Sequence, residues 1–156
     1  MCASGLPSES RGHAIRICLA ALEFQNYLDR SNQKREQMRM QRWEMRTGIH
    51  TGPVIAGVVG ERKFTYDIWG DSVNIAALME QNSEPSRINI SETTYQHVGE
   101  IFQIESRGII NSGKKGDLSM CFLSRLKEEF SEDPDGLKPN NEFQKKFGGQ
   151  MKVCDA

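Results

Sequence analysis

The chain has 156 residues, enough for one modest domain, and its 37% hydrophobic content supports a core. A formal net charge of −1 gives no general electrostatic reason to expect nucleic acid or an anionic membrane as a partner. No apolar run approaches the roughly 20 residues of a membrane-spanning helix, and no signal peptide is recognised. A local excess of positive charge from Lys34 to Arg42 is interpreted as a solvated face.

The four cysteines are scattered through the chain without the CxxC spacing that is typical of metal sites. We therefore expect reduced thiols rather than disulfides or a zinc site, which indicates a cytoplasmic location. The residues concerned are Cys2, Cys18, Cys121 and Cys154.

The first part of the chain predicts a short strand over residues 1–7 and then a helix from Ser8 to about Asn32. Ser8 or Ser10 can cap this helix. The polar stretch 31–42 either prolongs the helix or forms a loop. The helix is expected to pack on a sheet through residues at helical spacing. These are Ile15, Cys18, Leu19 and Leu22.

The segment from Arg46 to Glu80 is the most informative part of the sequence. Its pattern predicts a strand, a β-hairpin of two further strands, and a helix that begins near Gly70 and Asp71. Glycine and polar residues at the strand ends mark the turns. The expected bounds are 43–50 for the first strand, 54–59 and 64–69 for the hairpin, and 71–81 for the helix.

The remaining pattern predicts a strand, a helix starting at Ser91, two more strands and a tail. Tyr95 and Val98 are expected to face inward from the helix. Glu128 to Ala156 is expected to be extended or disordered, because its apolar residues are sparse. The strand bounds are 87–90, 102–110 and 117–123, with a turn over 111–116 between the last two. The domain prediction is 1–126 for the folded part and 127–156 for a polar tail.

Three ordered motifs, GIHTGPVIAGVVG, YDIWGDSVN and AALME, closely resemble the catalytic domain of class III nucleotidyl cyclases. The resemblance extends from Met1 to about Leu126. It implies an α+β, ferredoxin-like cyclase fold with helices on a mainly antiparallel sheet, here lacking the N-terminal portion. It also implies Mg or Mn as cofactor, with two aspartate ligands upstream of Met1 and no metal ligand in this chain.

The same resemblance implies roles for individual residues. Asp67 matches the position that reads the base, where a carboxylate accepts from the amine of adenine and disfavours guanine; a turn or capping role is the alternative. Ile68 beside it is assigned to substrate binding, and Asn74 to orienting the ribose as a catalytic residue. Lys115 either faces the phosphates or is a surface lysine. His50 is expected to be a packing or hydrogen-bonding residue.

Leu78 occupies the position where the family pattern has an arginine that stabilises the transition state. Losing one preorganised donor typically costs about 10²–10³ in rate. Two functions therefore stand side by side. One is a fragment of an adenylate cyclase that acts on ATP as a homodimer or with a second cyclase half, with impaired activity. The other is an inactive dimerisation or regulatory module. In both, a membrane is expected only through regions outside this chain.

Overall fold

The structure is a computed structural model that describes residues 1–8, 10–112 and 116–151. The elements follow the expected order, except that the strand predicted for residues 1–7 is absent and a further helix stands at the end. The helices are α1 His13–Gln37, α2 Asp71–Gln81, α3 Glu92–Val98 and α4 Asn141–Met151. The strands are β1 Thr47–Ile49, β2 Ile55–Val59, β3 Thr65–Trp69, β4 Ile88–Ser91, β5 Phe102–Asn111 and β6 Asp117–Leu126.

Two separate sheets organise these elements. The larger has the strand order β1-β4-β6-β5, in which β1 pairs with β4 in parallel and the other neighbours are antiparallel. The smaller is the antiparallel hairpin of β2 and β3, joined by a polar tip as the sequence predicts. Helices pack on the larger sheet, so the expectation of an α+β fold with a mainly antiparallel sheet is confirmed.

Helix α1 supplies the apolar stripe that was expected, with its buried residues near its start. The helix begins at His13 after Gly12, and no side chain caps it, so the capping role of Ser8 or Ser10 was wrong. It ends at Gln37, which shows that the polar stretch prolongs it. None of the helices in the described part of the chain combines the length and hydropathy of a membrane span.

Residues 1–7 contain no strand, contrary to the sequence prediction. Gly5 has a φ of +93°, a left-handed conformation that turns the chain out of an extended path. Strand β1 likewise covers only 47–49 of the expected 43–50. The prediction that Tyr95 faces inward was also wrong, because Tyr95 is exposed. Val98 is fully buried, as expected. Ser91 does cap α3, since its hydroxyl accepts from the Thr94 backbone N–H.

The expectation of an extended or disordered tail is wrong for residues 128–151. A 3₁₀ turn at Glu128–Phe130 is followed by a loop and by α4, which folds back onto the domain. Phe143 and Phe147 lie four residues apart on one face of α4, and their rings pack at a centroid distance of 5.4 Å. Together with Phe130 they are buried in the main core. The core therefore draws on residues beyond the last strand.

The loop before α4 is organised around Asp133. Its carboxylate accepts hydrogen bonds from the backbone N–H of Leu137 at 2.8 Å and from the Ser131 hydroxyl at 3.0 Å. Desolvation acts to raise the pKa of Asp133, but these bonds, with further ones from Lys138 and Gly136, lower it below its usual value. The ionised form of Asp133 therefore helps to hold this loop in shape.

Candidate functional site

The hairpin and the helix that follows it position the residues that the sequence singles out. β3 carries Asp67 and Ile68, and α2 carries Asn74 and Leu78. The two elements are joined at Gly70, whose φ of +136° suits glycine and permits the abrupt change from strand to helix.

The buried Ser72 fixes the start of α2 against the loop that leads into the hairpin. Its hydroxyl donates to the carbonyl of Pro53 at 2.7 Å. Gly52 lies close by, where an added Cβ would come within 2.5 Å of the Ser72 oxygen. The sequence reading missed this role of Ser72, although a serine at the second residue of a helix start was a visible signal.

Asp67 is exposed on β3, opposite Gly57 in the hairpin register. One carboxylate oxygen accepts a 2.8 Å hydrogen bond from the backbone N–H of Ile68. Because glycine has no side chain, nothing on the neighbouring strand covers the carboxylate from that position. Asp67 is thus accessible to a ligand or to a second chain, and Ile68 is half-buried beside it.

Asn74 is exposed in the first turn of α2, and Leu78 is half-buried one turn later. The four-residue spacing places both on the same side of the helix, as expected. The carbonyl of Leu78 accepts a hydrogen bond from the side chain of Asn82 at 2.9 Å. Its aliphatic side chain offers neither a charge nor a hydrogen-bond donor to that surface.

A partly open cavity of about 330 Å³ lies next to these residues. It is bordered by residues 1–6, by the loop after β1 and by the beginning of α2. Ile68 is the one predicted site residue that lines it, while Asp67 and Asn74 are not among its lining residues. Lys115 lies outside the residues that the structure describes, and its predicted role stays a prediction.

His50 ties the loop after β1 to the start of α3. Its Nδ1 lies 2.8 Å from the Ser91 hydroxyl and 3.2 Å from the Thr93 hydroxyl. Thr51 adds a second link through its hydroxyl, 3.1 Å from that of Thr94. The expectation that His50 hydrogen-bonds within the fold is confirmed, and the network fixes one wall of the cavity.

The described residues do not fit a magnesium or manganese site. No group of three or more His, Cys, Asp or Glu side chains in that part of the chain is arranged to hold a metal ion. Hard divalent cations prefer carboxylate and carbonyl oxygens, and the side chains lining the cavity include no carboxylate. Cys2, Cys18 and Cys121 are free thiols, as expected, and Cys154 lies outside the described residues.

Gly48 explains why α2 can pack so closely on β1. A Cβ at this position would lie 2.0 Å from the backbone nitrogen of Glu80 and 2.5 Å from the carbonyl oxygen of Ala76. The backbones of strand and helix are therefore in direct contact, which fixes the orientation of the helix that carries Asn74. The sequence analysis interpreted the glycines at the strand ends as marks of turns and did not single out Gly48.

The hairpin presents large apolar side chains to solvent. Phe64, for example, is 72% exposed. Apolar surfaces of this kind commonly mark interaction sites. The exposed residues are Ile55, Val58, Val59, Phe64, Tyr66 and Trp69. By the strand register, Asp67 shares one face of the hairpin with Ile55, Val59 and Trp69, whereas Val58 and Tyr66 lie on the other face. A chain bound to the face of Ile55, Val59 and Trp69 would therefore approach the carboxylate.

The sequence and the fold match one family of enzymes. The family described as "Adenylate and Guanylate cyclase catalytic domain" matches residues 1–125. The α+β fold with its mainly antiparallel sheet also agrees with solved nucleotide cyclase domains. The chain therefore belongs to the adenylate and guanylate cyclase catalytic domain family.

The similar proteins include both adenylate cyclases and guanylate cyclases. An adenylate cyclase of Mycobacterium tuberculosis is 34% identical over 123 residues, covering 79% of this chain and 27% of that protein. Soluble guanylate cyclase 89Da of Drosophila melanogaster is 36% identical over 124 residues, covering 79% of this chain and 18% of that protein. The chain thus spans about a quarter or less of these relatives, and identity alone does not choose between the two nucleotides.

The fold comparison agrees. The crystal structure of the guanylyl cyclase Cya2 superimposes with a TM-score of 0.74 at 27% identity. The superposition covers 82% of this chain and 66% of that one.

Proposed function

We propose that this chain supplies the base-reading and ribose-orienting half of an adenylate cyclase site, which forms when a second chain binds. The reaction is the conversion of ATP to cyclic AMP and pyrophosphate. The observation that carries the proposal is the placement of Asp67 and Asn74 on β3 and α2. Both side chains are exposed, and the two elements are joined at Gly70.

In this reaction the ribose 3′-oxygen attacks the α-phosphorus, loses its proton, and pyrophosphate leaves. Asp67 accepts a hydrogen bond from the exocyclic amine of adenine, and the carbonyl of guanine would repel its carboxylate. A site built to pair one polar group rejects the analogue that leaves it unpaired. Asn74 can donate and accept at the ribose through its amide. The choice of ATP over GTP thus depends on Asp67.

A second copy, or another cyclase half, is the proposed partner. The exposed apolar surface of the β2–β3 hairpin supports this, because burying such surface is favourable at roughly 25 cal/mol per Å². We expect two aspartates upstream of Met1 to hold the metal ions, and no metal-binding group is found among the residues that the structure describes. The free thiols of the described part support a cytosolic location.

The presence of Leu78 where the family pattern has an arginine supports the proposal that the catalytic step is impaired. Removing one donor to the developing negative charge costs about 3–4 kcal/mol, or about 10²–10³ in rate. We therefore expect this chain alone to form negligible cyclic AMP.

The test mixes this chain with a cyclase half that carries both metal-binding aspartates, and measures cyclic AMP. Leu78→Arg should raise the rate by at least about 100-fold, because a cation is restored one turn from Asn74. Ala77→Arg is the matched control: Ala77 is exposed on the same helix but faces a different direction, and this variant should have no effect. An equal effect of both variants, or none of either, would contradict the assignment of α2 to the site.

The alternative is an inactive dimerisation or regulatory module. The leucine at position 78 favours it. If the mixed dimer forms and binds ATP but Leu78→Arg yields no cyclic AMP, this alternative replaces the first.

A further inference from the structure

The C-terminal end of α1 and the loop that follows it form a surface that the proposed cyclase site does not use. We name residues 30–43 the basic cap. It contains five basic side chains and one carboxylate, Glu36, although the whole chain has a net charge of −1. The basic residues are Arg30, Lys34, Arg35, Arg39 and Arg42. Five basic side chains against one carboxylate give the cap a net charge of +4, while Asp29 and Glu44 flank it and Glu36 pairs with Arg42.

The basic cap is held in one shape by hydrogen bonds. The buried side chain of Asn32 both donates to the carbonyl of Trp43 and accepts from its N–H, each at 2.8 Å. Arg35 donates to the carbonyl of Gln41 at 2.7 Å, and its own carbonyl accepts from the N–H of Met40 at 2.8 Å. These bonds fold the loop back onto the last turns of α1.

The folded loop exposes three large apolar side chains to solvent. Met38 is 70% exposed, Met40 48% and Trp43 57%. The guanidinium of Arg35 lies 4.0 Å from the centre of the Trp43 ring, so a cation and an aromatic ring are already in contact. A solvated face would account for the charges of the basic cap, but it leaves these three exposed residues unexplained.

The basic cap lies beyond the part of α1 that packs in the main core. After Leu22, Asn32 is the single fully buried residue of α1 up to its end at Gln37. Fifteen helical residues from Glu23 to Gln37 extend about 22 Å at 1.5 Å per residue. The exposed apolar side chains of the cap therefore lie far along the helix from its buried apolar residues, and Trp43 lines an open pocket with Gln41, Arg42 and Glu44. Exposed apolar side chains beside basic residues suit the interface of a lipid layer.

We propose that the basic cap docks this domain on an anionic lipid surface, with Met38, Met40 and Trp43 entering the interface and the basic residues contacting the headgroups. Tryptophan favours the level of the headgroups. Arginine and lysine keep their charge at the polar layer while their aliphatic stems lie against apolar surface. Stable peripheral binding needs two signals, and the cap supplies both charge and apolar area. This inference is independent of the proposed function.

The test uses the full chain with phosphatidylcholine vesicles, with and without phosphatidylserine, and measures binding by sedimentation. We expect binding only to the anionic vesicles, and its loss at 1 M salt, where the Debye length is about 3 Å. Lys34→Glu together with Arg39→Glu should weaken binding at least about tenfold. Lys138→Glu together with Lys145→Glu changes the net charge equally on exposed residues elsewhere, and should have a much smaller effect.

A second measurement separates lipid insertion from charge attraction. In a Trp69→Phe variant, Trp43 is the remaining tryptophan, and lipids brominated near the headgroup should quench its fluorescence. Met38→Ser with Met40→Ser keeps the charge and should weaken vesicle binding as well. No preference for anionic vesicles would overturn the proposal. So would equal effects of the two charge-reversal pairs, or binding to soluble polyglutamate with no quenching by lipid, which would point to an acidic protein partner instead.

Discussion

The unexpected docking of α4 leads to a sharp prediction for Phe143→Ala. Phe143 is fully buried, and its ring packs on Phe147, which in turn lies 5.4 Å from Phe130 with an edge-on geometry. Replacing a buried phenylalanine by alanine removes its packing and leaves a cavity, which typically costs about 3–5 kcal/mol. Because natural domains are stable by only about 5–15 kcal/mol, this is a large share of the total.

The measurements are urea denaturation of the full chain, which gives the free energy of unfolding, and thermal denaturation, which gives the melting temperature, both followed by circular dichroism. For a domain of this size, each kcal/mol lowers the melting temperature by about 2–4 °C, so a loss on the order of 10 °C is expected. Gln144→Ala is the matched control, because Gln144 is the exposed neighbour on the same helix, and it should change stability by less than about 0.5 kcal/mol. A cost below about 1 kcal/mol for Phe143→Ala would show that α4 does not complete the core.

Three further predictions concern other parts of the fold. Gly48→Ala should destabilise the domain strongly, because its Cβ would overlap the backbone of α2; a melting temperature equal to that of the parent chain would refute the close contact. Burial raises the pKa of Cys18 to about 12, so at pH 8 a thiol reagent should label the exposed Cys2 at least about 100-fold faster, and equal rates would contradict the buried placement. The pKa of Asp133 is lower in the folded chain than in the unfolded chain, so its ionised carboxylate stabilises the fold above the ordinary carboxyl pKa. This stabilisation is lost as the pH falls through the lower pKa of the folded chain. The free energy of unfolding should therefore be measured between pH 7 and pH 3, a range that spans the ordinary carboxyl pKa of about 4. It should fall less steeply with acid in Asp133→Asn than in the control Asp135→Asn.

The central segment was predictable because its signals are local. β-branched residues over Ile55–Val59 favour a strand, and the polar tip after it marks a turn. Gly70 followed by polar residues marks the start of α2, whose bounds of 71–81 agree with the expectation. Such patterns depend on neighbours within a few residues, so one sequence is enough to read them.

The C-terminal part was not predictable in the same way. Phe130, Phe143 and Phe147 are sparse in a polar stretch, and their burial depends on a core built by distant strands. The strand expected at residues 1–7 is absent for a related reason: a strand forms only where a neighbouring strand pairs with it, and neither sheet includes these residues. Tertiary contacts decided both outcomes, and local pattern carries little information about them.

The candidate site was predictable in part. Placing Asp67 on a strand and Asn74 on the next helix needed only the order of the elements. Their exposure, the separate cavity lined by Ile68, and the contact of Gly48 with α2 depend on how the elements pack. The identity of the base that Asp67 reads comes from resemblance and remains a proposal.

The most direct test of that proposal is a nuclear magnetic resonance titration of the isotope-labelled chain, paired with a metal-competent cyclase half. A non-hydrolysable ATP analogue should shift the backbone amide signals of Asp67, Ile68 and Asn74, and the matching GTP analogue should shift them far less. In Asp67→Cys the difference between the two nucleotides should disappear. Unchanged signals at these three residues while the nucleotide shifts others, or equal responses to both nucleotides in the parent chain, would contradict the account.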